Sequence, residues 1–539
     1  MTTVANSIRT GARARETLST DVLILGGGPA GTWAAVEAAR QGVGVVLVDK
    51  GFCGTSGAAA PSGNGVWYVA DEPTARESAK ASREALGGFL QDRAWMDAVL
   101  DQTWSNVNLL ADWNYPFPRD EDGKQRRGSL QGPEYLRLMR RQVLAAGARI
   151  LDHSPALELL VDGDGAVAGA RGYSRVRETD WEVRAKAVVV ATGGCAFLSR
   201  ALGCNVLTGD GYLMAGELGA ELSGMEFSNA YGISPVFSSV TKTAFYRWAT
   251  FFDHRGEELE GASGHHRSKI AKALLEGAVY AQLDQAPEDL HASLRAAQPN
   301  FFLPFDRVGI DPFRQRFQVT LRLEGTVRGT GGLRLVDRSC ATTVPGLFAA
   351  GDAASREPIC GGFTGGGSHN AAWALSTGAW SGRSAALHAL SSPARSGAAT
   401  GGSEHRESRK GLVWTADAVI KAVQGEVFPY DRNYFRSGPD LDGSLARLDN
   451  LWRNLAKPAP GEDPVRIHEA RSMLATARWM YTSALSRTES RGMHKRTDFP
   501  ALDPNQQHHL VARGVDSIEL SSRSAARAYP RELLEKAAA

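Results

Sequence analysis

Three glycines and an acid carry the first recognisable chemistry of this chain. Gly26, Gly28 and Gly31 stand in the order G-x-G-x-x-G, with Asp49 and Lys50 following. Gly26 permits a tight turn, Gly28 lets the backbone approach a pyrophosphate, and Gly31 lets a helix pack closely on a strand. Pro29, Ala30 and Gly31 would open that helix, whose N-terminal amides and dipole favour phosphate. Asp49 can accept from a ribose hydroxyl. The combination points to a dinucleotide. It requires a strand before the glycines, a helix after them and a second strand before the acid. Val22 to Leu25 is an apolar run suited to a buried strand, Pro29 to Gln41 reads as the helix, and Val43 to Val48 reads as the second strand.

Other segments could reach the same ligand. Small and hydroxyl-bearing residues dominate Gly51 to Gly65, including Thr55, Ser56 and Gly57. Such a run can lie flat against a large ring system. The strand Trp181 to Val190 closes on Ala191-Thr192-Gly193-Gly194, where glycine again allows close backbone approach. Leu207 to Tyr212 opens a helix, and Asp210 there suits either a ligand contact or an N-cap. Ala341 to Asp352 reads as a returning strand, and the glycine-rich Gly361 to Asn370 leads into a long helix from Ala371.

Between these segments, Ser223 to about Asp337 has short mixed elements and many aromatics, and reads as a second domain inserted into the first. Glu72 to Trp113 and Glu134 to Ala146 read as helices, and Ile150 to Tyr173 as strands turning at Asp162-Gly163-Asp164-Gly165. Ser391 to Arg409 has the composition of a linker, Lys410 to about Ser486 has helical spacing, and LVARGVDSIEL near the end reads as two short strands. The expected organisation is α/β. A Rossmann-like dinucleotide domain comprises residues 18–224 and 338–405, an inserted α+β domain 225–337, and a C-terminal helical region 406–539.

Composition narrows the class. A chain of 539 residues calls for two or three domains. A net charge of +2 without a concentrated basic patch gives no reason to expect nucleic acid. Cys53, Cys195, Cys204, Cys340 and Cys360 are widely spaced and form no C-x-x-C, which argues against a disulfide framework, a metal site or an iron–sulfur cluster and fits a reducing cytoplasm. No apolar run approaches the roughly 20 residues of a membrane span. The first twenty residues lack the apolar core of a secretory signal and read as a disordered lead-in.

Taken in order, DVLILGGGPAG, AVVVATGG, TGDGYLMAGELGAELSGMEF, PGLFAAGD, GGGSHNAA and ALSRTESRGMHKRTDFP resemble the flavoprotein subunits of succinate dehydrogenase and fumarate reductase, together with L-aspartate oxidase and adenylylsulfate reductase. The resemblance implies FAD. It places Gly26, Gly28 and Gly31 at the pyrophosphate, Asp49 at the adenosine ribose, Thr55, Ser56 and Gly57 at the isoalloxazine, and the Ala156 backbone near the adenine. It matches Thr192, Gly193, Asp210, Gly351 and Asp352 to cofactor-contacting positions, and Ala371 with Ala372 to the helix start facing the flavin. Some relatives attach FAD through a histidine after the second strand. This chain has none there, so non-covalent FAD is expected.

The inserted domain would be the family's capping domain, closing over a small-molecule substrate. The family's catalytic arginine then corresponds to Arg267, with Tyr231 near the place of a family histidine, and His265, His266 and His369 as further candidates. The chain departs from the family where dicarboxylates are held. Gly366 or Gly367 replaces a carboxylate-clamping arginine, Ser263 replaces an acid, and Gly325-Thr326-Val327-Arg328-Gly329-Thr330 lacks a second histidine. Losing arginine forks removes much of the basis for binding two carboxylates. The leading expectation is an FAD-dependent dehydrogenase, oxidase or reductase moving a hydride between flavin N5 and an activated carbon of a small substrate other than a simple dicarboxylate. A C–N oxidase for an amine or hydrazine-like substrate is the alternative, and a flavoprotein subunit of an electron-transfer complex is a third. The electron acceptor (oxygen, quinone or a redox protein) and the oligomeric state stay open.

Overall fold

The computed structural model describes residues 15–241, 243–262, 267–364, 366, 368–392, 400–401 and 411–527. The expectations for Ser263, His265, His266 and Gly367, for the start of the N-terminal tail and for most of the linker lie outside them.

The main sheet is built on the strand Arg15–Leu25, which runs parallel to Val45–Val48 on one side and to Thr179–Val190 on the other. Arg149–Leu151 continues the parallel edge beyond Val45–Val48. On the far side of Thr179–Val190, Val167–Ser174 and Ala156–Val161 continue the sheet antiparallel, while Leu347–Ala349 returns from late in the sequence to pair parallel with Val188–Val190. Val22, Leu23, Ile24 and Leu25 are all buried, as a strand covered on both faces requires. One helix, Pro29–Ala39, packs against the long helix Ser368–Ser391.

The first strand corrects the expectation of a disordered lead-in up to Thr20. It starts at Arg15 because Thr179–Val190 is long enough to partner it, with Arg15 opposite Asp180 and Leu25 opposite Val190. That partner lies far along the chain, beyond the reach of local pattern.

Between Ser223 and Leu347 the chain forms a separate antiparallel sheet. Its order is Ala230–Pro235, Phe317–Gly325, Val279–Gln282, Thr250–Phe252. Phe245, Phe301, Phe302, Phe305 and Phe317 are buried beneath it and stack edge-to-face, which accounts for the aromatic texture of this stretch. C-terminal helices follow at Ala416–Val427, Gly438–Asn454 and Pro464–Ser486, capped by Thr415, Ser437 and Asp463. The final strands His508–Arg513 and Glu519–Ser524 pair with each other, and the first also pairs with Leu222–Ser223. Among the described residues no helix is long and apolar enough to cross a membrane.

A buried charge network ties the C-terminal region to the rest. Arg487 donates through Nε to Glu226 Oε1 at 2.9 Å and through Nη1 to Glu489 Oε1 at 2.8 Å, and Arg491 Nε donates to the same Glu489 oxygen at 2.6 Å. Arg436 Nη1 donates to the Glu226 carbonyl at 2.6 Å and to His494 Nδ1 at 2.8 Å. That second bond makes Nδ1 the acceptor, so Nε2 carries the proton and donates to the Arg487 carbonyl at 3.1 Å. Burial and the Arg436 charge hold His494 well below the ordinary histidine range, so it is neutral. The conspicuous E-S-R-G-x-H motif thus fastens the C-terminal region to the M-E-F segment and lies outside the cavity described next.

Candidate active site

The elements above converge on a cavity of about 720 Å³. The glycine turn Gly26, Gly28, Pro29 and Ala30 lines one wall, with Asp49, Lys50, Ser56, Gly57 and Ala156 beside it. Thr192, Gly193, Asp210, Gly351, Asp352 and Ala371 also line it, although they come from distant parts of the chain. Gly26 sits at a φ of +109°, and a Cβ there would overlap the Ala191 carbonyl, so glycine is required on both counts. Gly31 lies under the turn, where a Cβ would overlap the Gly26 carbonyl oxygen. At Gly28 a Cβ would meet nothing within 4 Å, because it would project into the cavity.

Hydrogen bonds shape the walls. Asp49 Oδ2 accepts from the Gly27 amide at 2.6 Å, and its Oδ1 accepts from the Gly51 amide at 2.8 Å and from Ser56 Oγ at 2.6 Å. Lys50 Nζ lies 2.8 Å from each of Thr208 Oγ1, Asp210 Oδ2 and Glu469 Oε1. Burial works against the Lys50 ammonium, but Asp210 and Glu469 outweigh it and hold its pKa above the usual lysine range. Asp210 is not the N-cap; Gly209 is, and Asp210 opens the helix with its carboxylate turned to Lys50 and Thr208.

Five expected residues stand elsewhere. Thr55 is exposed, with its hydroxyl turned to the Phe52 carbonyl, so Ser56 is the hydroxyl of that loop that faces the cavity. Ala372 is fully buried behind Ala371 and is not a lining residue. Tyr231 is buried in the second sheet, away from the cavity. Its hydroxyl donates to the Val427 carbonyl at 3.0 Å, and its ring meets those of Tyr430 and Tyr434 at 5.7 Å each. Burial drives that hydroxyl well above the ordinary tyrosine range, the opposite of what a base needs. Arg267 is not a lining residue either. It stands within charge range of Arg328, Glu324 and Tyr434, its Nε is buried with no hydrogen-bond partner among the described residues, and burial followed by the Arg328 charge brings its pKa down to about 10. The His369 ring packs at a tilt against that of Trp67, with centroids 4.4 Å apart, and is not among the lining residues.

Two arginines emerge that spacing alone did not single out. Arg328 lines the cavity, with Nη1 donating to the fully buried Glu324 at 2.9 Å. Glu324 also accepts from Thr241 Oγ1 at 2.8 Å. Arg356 is buried and bonds Asp352, while its Nη2 donates to the carbonyls of Thr326 at 2.8 Å and Val327 at 3.1 Å and to that of Gly329. It braces the turn that carries Arg328 against the acid Asp352. The sequence signal for Arg328 was its place in the run where relatives carry a histidine; for Arg356 it was a lone arginine just after the G-D pair.

The FAD binding domain family model matches residues 21–371, and that of the fumarate reductase flavoprotein C-terminus matches residues 433–526. The chain belongs to the fumarate reductase and succinate dehydrogenase flavoprotein family. It is an FAD-dependent oxidoreductase. Over 568 residues it is 26% identical to the fumarate reductase flavoprotein subunit of Mycobacterium tuberculosis, covering 92% of this chain and 95% of that one. Identity to the L-aspartate oxidase of Streptomyces coelicolor is 26% over 547 residues, with 92% of each chain covered. A solved E. coli quinol fumarate reductase chain superposes with a TM-score of 0.81 at 22% identity, covering 96% of this flavoprotein and 98% of that chain, a likeness of fold.

The cavity fits FAD on its own evidence. Gly28 leaves the space that a phosphate needs, and Thr192 Oγ1 is buried at the cavity wall without a hydrogen-bond partner among the described residues. No histidine is among the described lining residues.

The Lys50 cluster also makes this flavoprotein acid-sensitive. His468 is fully enclosed beside Asp210 and Lys50, and burial pulls its pKa down to about 4. The unfolded chain therefore takes up a proton near pH 6.5 that the folded chain refuses, and stability falls as pH drops from about 6.5 to about 4. At pH 5 the expected loss is about 2 kcal/mol. Urea unfolding at pH 7.5 and 5 checks it, and His468→Gln should flatten this part of the pH dependence.

Proposed function

We propose that this flavoprotein transfers a hydride between FAD and an activated carbon of a small organic acid other than a simple dicarboxylate. The observation that carries the reading is Arg328. It is the one charged side chain that the inserted segment contributes to the cavity wall among the described residues. Glu324 fixes it through one nitrogen, and among the described residues no partner takes its other N–H groups.

Bound FAD supplies the two-electron acceptor or donor. The chain's own residues do the rest. Gly28 and Thr192 would hold the cofactor, with Ser56 and Lys50 on the wall beside it. Arg328 grips the substrate carboxylate and orients the neighbouring carbon. As one carbon gives or takes a hydride, the adjacent carbon loses or gains a proton, and a carbon–carbon double bond forms or disappears. We assign that proton to Arg328 with Arg267 behind it, because burial, and then the Arg328 charge, make Arg267 more acidic than an ordinary arginine. Tyr231 has no part in this assignment.

The test uses FAD-loaded protein under anaerobic conditions, mixed in its oxidised and photoreduced forms with a panel of saturated and unsaturated organic acids. At least one acid should change the flavin's visible absorbance. Arg328→Gln should slow that change by about 100-fold, and Arg267→Lys should also slow it, while both variants keep a full complement of FAD. An unaltered rate in Arg328→Gln contradicts the assignment.

A further inference from the structure

We infer that the substrate carries a single carboxylate, seated on Arg328, and a neutral hydrogen-bond-donating end such as an amide. This rests on the hydride-transfer reading above and narrows it.

The charges around the cavity allow one anionic group. Its described cationic lining residues are Lys50 and Arg328. Lys50 is committed to Thr208, Asp210 and Glu469. Arg328 has N–H groups left after bonding Glu324, and Arg267 nearby leaves the trio of two guanidiniums and one carboxylate with a net positive charge that a single anion balances. Asp352 also lines the cavity, and among the described lining residues no further cation is available to a second carboxylate. An unpaired charge in such a site is costly.

The opposite requirement comes from Asn370. Its Nδ2 donates to the Val327 carbonyl at 2.8 Å, which fixes the direction of the side-chain amide. Its Oδ1 is left buried, at the cavity wall, with no donor among the described residues. A carboxylate cannot supply that donor; an amide N–H can. Val327, Arg328 and Asn370 all line the same cavity, so one ligand can meet both Asn370 and Arg328. Leaving a buried acceptor unpaired costs enough for a neighbouring amide to be selected over an acid.

The experiment is calorimetric titration of the FAD-loaded protein with succinate and with succinamate, its monoamide. Succinamate should bind at least about tenfold more tightly than succinate. Asn370→Ala should reduce that preference, and Arg328→Gln should weaken both ligands. Equal or tighter binding of succinate overturns the inference, as does failure of succinamate to bind. Preferential binding of succinamate without any acid altering the flavin's redox state would count against the hydride-transfer reading and leave the binding inference standing.

Discussion

Arg487→Met should destabilise the protein by about 3–5 kcal/mol, a large part of what a folded chain has to lose. The side chain is fully buried, and its guanidinium joins two equally buried carboxylates, Glu226 and Glu489. It also donates to the carbonyls of Gln506 at 3.0 Å and His508 at 2.8 Å. Methionine fills much of the volume but satisfies none of these groups. Both carboxylates would lose a counter-charge in a place that water does not reach, and two backbone acceptors would be orphaned. Arg487→Lys keeps the charge and loses the fork, so it should lie between the variant and the parent. Unfolding midpoints of the three proteins decide the matter. A methionine variant as stable as the parent would show that the network is dispensable.

Gly31→Ala should abolish stable FAD binding, lowering affinity by at least about 100-fold. The added Cβ would overlap the Gly26 carbonyl oxygen, which is backbone and cannot swing aside. The helix start must then move away from the turn, and both define the wall that holds the pyrophosphate. Gly28→Ala provides the contrast. Its Cβ enters open space in the cavity, so the apoprotein should keep its stability while FAD is displaced. Flavin content after gel filtration, read beside apoprotein melting curves, separates the two mechanisms. Full FAD occupancy in Gly31→Ala would contradict the geometry.

The cofactor wall was legible because its residue types are dictated by backbone approach. Only glycine serves at Gly26 and Gly31, and the strand–turn–helix pattern around them has a short-range signature. The substrate side was less legible. Tyr231 looked like a stand-in for a histidine, yet its fate depends on the helix Ala416–Val427, almost two hundred residues away, which covers its hydroxyl. Arg267 and Arg328 are similar residues in sequence, and only the packing of Phe317–Gly325 shows that Arg328 reaches the cavity wall. Thr55 and Ser56 differ by one position, and a local turn to the Phe52 carbonyl decides which one faces inward. Arg356 offered only its place four residues after Asp352, since its other partners are backbone carbonyls in another segment.

In the reading proposed above, Arg328 holds the acid substrate against non-covalently bound FAD. A crystal structure of the FAD-loaded protein with succinamate bound tests it most directly. The flavin should have no covalent link to the chain, and the ligand's carboxylate should lie on the Arg328 guanidinium beside the isoalloxazine. A ligand seated away from Arg328, or a flavin bonded to a side chain, would contradict it.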